Sequence, residues 1–495
     1  MTMIADPRES SAQQEPPAVH DTARTIGNIR RLIYVYLLLL IFEGALRKWI
    51  VPQFSAPLLV VRDPVVVLIY LLALRARVFP FNVFVVSLGI IALLSWATGI
   101  LVLFPYLPIR TLVLVTGYGF RSNFLHLPLI LLIPAVFDLK DVQRIGWWTI
   151  IGMIPMGVLM AAQFNASPES YINRAAGLGE GIQIQAGGGK IRPPGVFSFI
   201  SGAVYYLSAV AAFLLHAVLA KLAYKTWLLS AAGAGLIVGM GVSGSRSAVL
   251  SVGVVVASLA LILVVRPSAV NKFGRHLLLA LIVLWVISYV PVFREGIGIL
   301  SNRFTESAEQ AETSVVGGLV GRIIEGFTEG AQILNKVPIG GYGLGVGTNG
   351  GSSFLVGHVE FLLSENEWSR ILLESGPFLG LAFLFWRCAL TFWVGRFAFR
   401  QLALGNTLPI FLFSAGFFVL LNGPFGQPNS LGFAVALAGL CLAAKPNEES
   451  SDAGPDDSKT NQNHEPPQVP RRSAYAERLH GPRIGSHPSH GSFDR

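Results

Sequence analysis

The chain has 495 residues, of which 53% are hydrophobic and only 13% charged, with a mean hydropathy of +0.59. A soluble domain carries roughly twice that share of charge, and long apolar runs of membrane-spanning length recur here. A soluble enzyme, a disordered chain and a collagen-like chain are thereby excluded. With 37 Lys and Arg against 28 Asp and Glu the net charge is +9. Residues 1–30 and 445–495 are each net −1, so the stretch 31–444 carries 27 basic and 16 acidic residues. That basic body contains no basic run and no nucleic-acid-binding pattern, which points to an anionic lipid or a lipid-linked phosphate rather than to nucleic acid.

The N-terminal residues are polar and lack the apolar core of a cleavable signal peptide. Residues 1–30 read as a disordered tail. Apolar periodicity then predicts twelve helices, near 32–46, 57–74, 82–104, 111–137, 145–163, 197–220, 226–243, 247–265, 276–293, 371–394, 405–422 and 426–444. The fold class is therefore all-α, a polytopic integral membrane protein. The segment after 445, rich in Pro, Ser, His and charge, reads as a second disordered tail. Cys388 and Cys441 both fall in apolar segments, so neither a disulfide framework nor a cysteine metal site is expected.

Lys and Arg in short loops set orientation. Placing both tails inside puts fifteen of them on the inner side and nine on short outer segments: Arg47, Lys48, Arg62, Arg110, Arg121, Arg174, Lys190, Arg192 and Arg246. Two outer segments are long. One is 164–196, with the glycine-rich GLGEGIQIQAGGGK. The other is 294–370, between the ninth and tenth helices, with helix-like stretches and the glycine-dense PIGGYGLGVGTNGGSS. Its apolar residues at helical spacing predict a segment folded over the membrane surface.

Soluble-enzyme signatures fail. Gly345, Gly347 and Gly350 match GxGxxG but lack the strand–turn–helix context that a dinucleotide site needs. No P-loop, HExxH or GxSxG motif is present. The body holds only Asp63, Asp138 and Asp141, so no catalytic metal and no cofactor are expected.

The arginines are the informative residues. Arg246 lies in GVSGSRSAVL between two apolar helices, where an arginine is costly by roughly 2.5 kcal/mol or more. It reads either as a snorkelling cap or, with five fixed donors among small neighbours, as a phosphate clamp. Arg192 in IRPPGVFSF and Arg121 in GYGFRSNFLHLP interrupt apolar sequence in the same way. Arg47 and Lys48 read as an interfacial anchor, and Arg322 as a solvated helix face or a ligand contact. In SENEWSRILLESGPFLG, Glu367 and Arg370 are spaced i,i+3 and Arg370 and Glu374 i,i+4, so they can pair on one helix face. Alternatively, a carboxylate there acts as a general base.

The order and spacing of SGSRSA, a large outer loop holding GRIIEGFTEGAQILNKVPIGGYGLGVGTN, and ENEWSRILLESGPFLG at a helix start resemble the O-antigen ligase/polymerase family of bacterial membrane glycosyltransferases. RPPGVFS is similar to that family's Arg–x–x–Gly–x–Phe segment. The resemblance covers roughly 110–440. It implies a GT-C-type helical fold and metal-independent glycosyl transfer at the outer face of the bacterial inner membrane, with both termini cytoplasmic. The implied partners are an undecaprenyl-pyrophosphate-linked glycan donor, a glycan acceptor, the lipid bilayer, and a chain-length regulator or flippase. The positions matching the family's pyrophosphate-holding arginines are Arg192, Arg246 and Arg322, with Arg121 a fourth. The chain departs from the family where many members carry His-Asn and this one carries Glu365-Asn366, which counts against a ligase. Glu365, Glu367 and His358 are the candidates for the general base. The expected activity is polymerisation of lipid-linked repeat units. A ligase is the alternative, and a membrane transporter, suggested by the helix count, is the alternative from another class.

Overall fold

A computed structural model of the chain describes residues 17–176, 183–265, 294–298, 301, 328–358 and 361–446. The helix expected at 276–293, and Arg322, lie outside the described residues. The elements are α1 (Pro17–Ala45), α2 (Ser55–Leu58), α3 (Arg62–Arg75), α4 (Val83–Leu103), α5 (Ile109–Phe120), α6 (Leu129–Val136) and α7 (Leu139–Asn165). The hairpin of β1 (Gln185–Gly187) and β2 (Lys190–Ile191) follows. Next come α8 (Ile200–Leu219), α9 (Thr226–Val242), α10 (Arg246–Val265), α11 (Asn349–Val356), α12 (Glu367–Ala403), α13 (Leu408–Asn422) and α14 (Pro428–Ala443). Among the described residues the architecture is helical apart from that one hairpin, and α1 already begins at Pro17, inside the segment read from sequence as a tail.

Four helices, α4, α7, α8 and α12, are long and apolar enough to cross a membrane. Two bent pairs raise the number to six: Pro52–Leu58 with Arg62–Arg75, and Ile109–Leu125 with Leu129–Val136, bent by 41° and 43°. Other apolar helices are shorter: α13 and α14 have 15 and 16 residues. At 1.5 Å per residue such a helix is about 24 Å long, less than the roughly 30 Å hydrocarbon core. Four to six membrane-length spans are thus present among the described residues, where apolar periodicity predicts twelve.

Helix starts obey local chemistry. Asn82 accepts from the Val85 amide to cap α4. Asp138 and Asp141 form a reciprocal capping box at α7, the arrangement that satisfies the orphan amides of a first turn. α4 buries Leu88, Ala92, Ser95 and Gly99 while Val86, Ile90, Leu93 and Leu94 are exposed, so it is apolar on both faces, as a lipid-facing helix is. The innermost helix is α14, buried from Asn429 to Ala443. Its small residues admit neighbours closely. A Cβ on Gly439 would strike Ile133 of α6, and one on Gly432 would strike the guanidinium of Arg62.

Several buried charges among the described residues are paired. Arg62, with no exposed surface, donates to Glu43 Oε2 at 3.2 Å and to the Pro428 carbonyl at 2.6 Å. At the two helix bends Arg121 donates to Asp63 at 2.7 Å and to the Leu59 carbonyl at 2.7 Å. His126 meets the other Asp63 oxygen at 2.9 Å and Tyr36 Oη at 3.1 Å. The bends are therefore cross-linked to each other, and the carbonyl freed at the first bend has a charged donor.

The glycine-dense segment does not lie over a surface as its sequence suggests. Residues 340–347 pass between α4, α5 and α12. Leu344 is fully buried with Gly99 of α4 against it, and Gly119 of α5 faces the backbone of Gly345. The Tyr342 amide donates to the Leu373 carbonyl at 2.7 Å, and the Gly343 amide to the Glu374 carbonyl at 3.1 Å. Gly345 has φ +95°, and a Cβ there would collide with the Val115 carbonyl. Glycine is required because main chain packs on main chain.

Candidate functional site

RPPGVFS is held from three sides. The turn before it uses Gly187, Gly188 and Gly189, all at positive φ, which lets β1 and β2 pair. The Arg192 amide donates to the Ile184 carbonyl at 2.8 Å. Gly195, at φ +60°, donates its amide to Gln163 Oε1 at 2.8 Å, and its carbonyl accepts from Lys48 Nζ at 2.6 Å and Gln163 Nε2 at 3.1 Å. Arg47 donates to Ser198 Oγ at 3.2 Å and to the Ser55 carbonyl at 2.9 Å. Burial pushes the Lys48 amine down to about 7, because a charge on it is poorly solvated. Arg47 and Lys48 thus brace the arginine-bearing segment, which is more than the interfacial anchoring expected of them.

SGSRSA meets that segment. Gly244, at φ +55°, is so close that a Cβ would lie 2.8 Å from Ala186 Cβ and 3.8 Å from Arg192 Cγ. Arg246, half-buried, follows two residues later as the first residue of α10. Two motifs 54 residues apart in sequence (Arg192, Arg246) are therefore adjacent.

Next to them opens a cleft of about 550 Å³ between the starts of α8 and α10 and the end of α13. Arg192, Ser201, Ser245, Ser247 and Ser251 supply polar groups, and Asn422 and Gln427 face them. Phe199, Val204, Leu250, Phe417, Phe418 and Leu421 supply most of the apolar wall. The size is that of a small-molecule site, and a mostly apolar wall with few polar groups is the usual make-up of one. A guanidinium beside hydroxyls suits phosphate oxygens, and the aromatic and aliphatic wall suits an apolar chain.

The other sequence candidates fall elsewhere. Arg121 is 5% exposed and committed to Asp63 and Leu59, away from the Arg192 cleft lining. Its Nε and Nη2 are used at the helix bends, and the structure does not bring it to Arg192 and Arg246. Glu367 is 3% exposed, and its oxygens accept from Arg370 Nε at 2.8 Å, Arg370 Nη2 at 2.9 Å, Arg387 Nη1 at 3.0 Å and the Phe425 amide at 3.1 Å. Three of these donors share Oε1 and one reaches Oε2, so Glu367 is engaged in a buried charge network, and it is not among the residues lining the cleft. Glu374 is likewise spent on Arg370, Asn123 and the Gly347 amide. Glu365 and His358 are exposed. Glu365 lies three residues before Trp368, whose indole donates to the carbonyl of Leu421, a cleft residue, at 3.3 Å.

Arg387, Asn123 and Glu43 are the functional-looking charges and amides that sequence reasoning passed over. A lone arginine within FLFWRCALTF is itself a signal, being expensive in apolar surroundings. Among the described residues no three His, Cys, Asp or Glu side chains converge, and none is assigned to a cation. Comparison with protein-family models, with curated proteins and with solved structures finds no match.

Proposed function

We propose that the protein is a membrane glycosyltransferase that polymerises undecaprenyl-pyrophosphate-linked oligosaccharide repeat units into O-antigen or exopolysaccharide at the outer face of the bacterial inner membrane. The full reading is a multi-pass body of about twelve helices with both termini cytoplasmic. The observation that carries the activity is the cleft, with Arg192 and a set of serines at one part of its wall, Arg246 adjoining, and an apolar remainder. It matches an amphiphile with an anionic head, and the two arginine motifs that carry the family resemblance are the ones that meet beside it.

The chemistry follows from that pairing. An acceptor hydroxyl oxygen forms a bond to the donor sugar C1, on the face opposite the pyrophosphate, while the C1–O bond to the phosphate breaks. The bonding electrons leave with the phosphate oxygen, where charge grows as the bond lengthens. A guanidinium preplaced at that oxygen stabilises the transition state more than the ground state. The acceptor proton passes to an exposed carboxylate, Glu365. Transfer is metal-independent with inversion.

Purified protein in nanodiscs, incubated with lipid-linked repeat units, should yield a ladder of lengths. Transfer in a single step to an added lipid or protein acceptor identifies a ligase instead. A donor that is never consumed refutes both. The transporter reading is disfavoured by the internal charges, since Glu367, Arg370, Glu374 and Arg387 are bonded to one another and to backbone.

A further inference from the structure

We propose that Arg387, buried in the middle of α12, is a positioning residue that fixes the 421–427 wall of the cleft and thereby sets how tightly the cleft holds its donor; the second half of this statement rests on the polymerase reading, the first does not. Arg387 is 1% exposed. Its Nε and Nη2 donate to the Leu420 carbonyl at 3.2 and 3.1 Å, and Nη2 donates also to the Gly423 carbonyl at 3.1 Å. These are carbonyls at the end of α13, where the last turn has no intrahelical donors of its own and where a cation also meets the negative end of the helix dipole. The guanidinium lies 3.8 Å from the centre of the Phe425 ring, a cation–π distance. Its fourth bond, Nη1 to Glu367 Oε1 at 3.0 Å, goes to the same oxygen that accepts from the Phe425 amide.

Residues 420, 423 and 425 are therefore all fixed from one guanidinium and its carboxylate. Leu421, Asn422, Gly423, Pro424 and Gln427, interleaved with them, line the cleft. From the opposite wall the corner receives the bond between Ser201 Oγ and Gln427 Oε1 at 3.1 Å. The wall is held from behind, by a group that never enters the cleft. A buried ion pair is weak evidence of a stabilising role, and the fork geometry of arginine, which spans two carbonyls and a carboxylate at once, is what a lysine cannot reproduce.

The test uses Arg387→Lys in the full chain. A reporter cysteine is placed by Asn422→Cys after Cys388→Ser and Cys441→Ala, and its rate of labelling by a sulfonated methanethiosulfonate reports the wall without reference to any activity. The wall should move, changing that rate about fivefold or more, and with lipid-linked donor KM should rise about tenfold while kcat stays within about twofold, since a misplaced wall weakens binding far from the reacting atoms. Phe425→Leu, which removes the ring but leaves the charges, should shift both readouts in the same direction and serves if Arg387→Lys does not fold. Unchanged labelling in the folded variants overturns the positioning role. Altered labelling with unchanged KM overturns its link to donor binding. Altered labelling in a protein that consumes no lipid-linked donor refutes the polymerase reading and leaves the positioning role standing.

Discussion

Replacing Glu367 by Gln separates a structural carboxylate from a catalytic one. The native side chain receives two bonds from Arg370, one from Arg387 and one from the Phe425 amide. An amide of the same shape retains one oxygen for these donors and turns an NH2 toward the others. Two guanidinium groups that are 4% and 1% exposed then lose their shared anion. Charge-assisted bonds contribute about 1.5–3 kcal/mol each, but part of that sum offsets the desolvation of the ions. The relevant figure is the roughly 3–5 kcal/mol cost of breaking a buried pair from one side. Thermal unfolding of the detergent-solubilised protein, followed by tryptophan fluorescence, should shift downward by about 5 °C or more. Glu365→Gln, at an exposed position, should stay within about 0.5 kcal/mol of the native protein. Removing both partners of the pair, as Glu367→Gln with Arg387→Gln, should cost less than the sum of the single changes, because neither leaves an orphaned charge. A Glu367→Gln protein with native thermal stability and no activity would refute the structural reasoning and restore Glu367 as a base.

Arg192→Ala should leave expression and thermal stability near native and lower turnover of lipid-linked donor by about 10²–10³-fold, the usual loss on deleting one preplaced donor; in cells it should accumulate lipid-linked units, whereas Arg110→Ala, exposed and outside the cleft lining, should not. Gly345→Ala should reduce the yield of folded protein, since φ +95° and the Val115 carbonyl both oppose a Cβ, at a strain of about 1–3 kcal/mol before the clash is counted; Gly357→Ala, also at positive φ but with open space around it, should be milder. Lys48 binds its proton less tightly folded, at about 7, than unfolded, near 10.4. The unfolded chain thus holds more protons between those values, so stability should rise with pH through that window, by up to about 1.4 kcal/mol per pH unit, and fall as pH drops toward 7. Melting temperatures at pH 7 and 9 check this, and Lys48→Met should flatten the difference.

Much of the site was legible because its signals are local. Helical spacing alone placed Glu367, Arg370 and Glu374 on one face, and both pairs are formed. Expected helices at 226–243 and 405–422 agree closely with Thr226–Val242 and Leu408–Asn422. Small residues around Arg246 marked a segment open to close approach, and the hairpin and Arg192 do approach it there. What local pattern does not carry is the partner of a charge. Arg387 looks like an isolated anomaly until the end of α13 is seen against it, 33 residues on. Arg121, Arg47, Lys48 and Arg62, four of the nine cations assigned to outer segments, are buried and bonded to carboxylates, hydroxyls or carbonyls. The positive excess of the body is therefore partly internal mortar. The glycine-dense segment misled for the same reason: its composition fits a loop over a surface as well as a backbone wedge.

The bond from Arg62 to the Pro428 carbonyl joins residues 366 apart, and that distance has a meaning in time. At a synthesis rate of about 5–20 residues per second, Arg62 emerges roughly 20–70 s before its carbonyl partner exists. Glu43, made 19 residues earlier, is on hand throughout, so a counter-charge is available to the arginine before the carbonyl is made. The short-range pair needs only the first helices, and the long-range bond waits for α14.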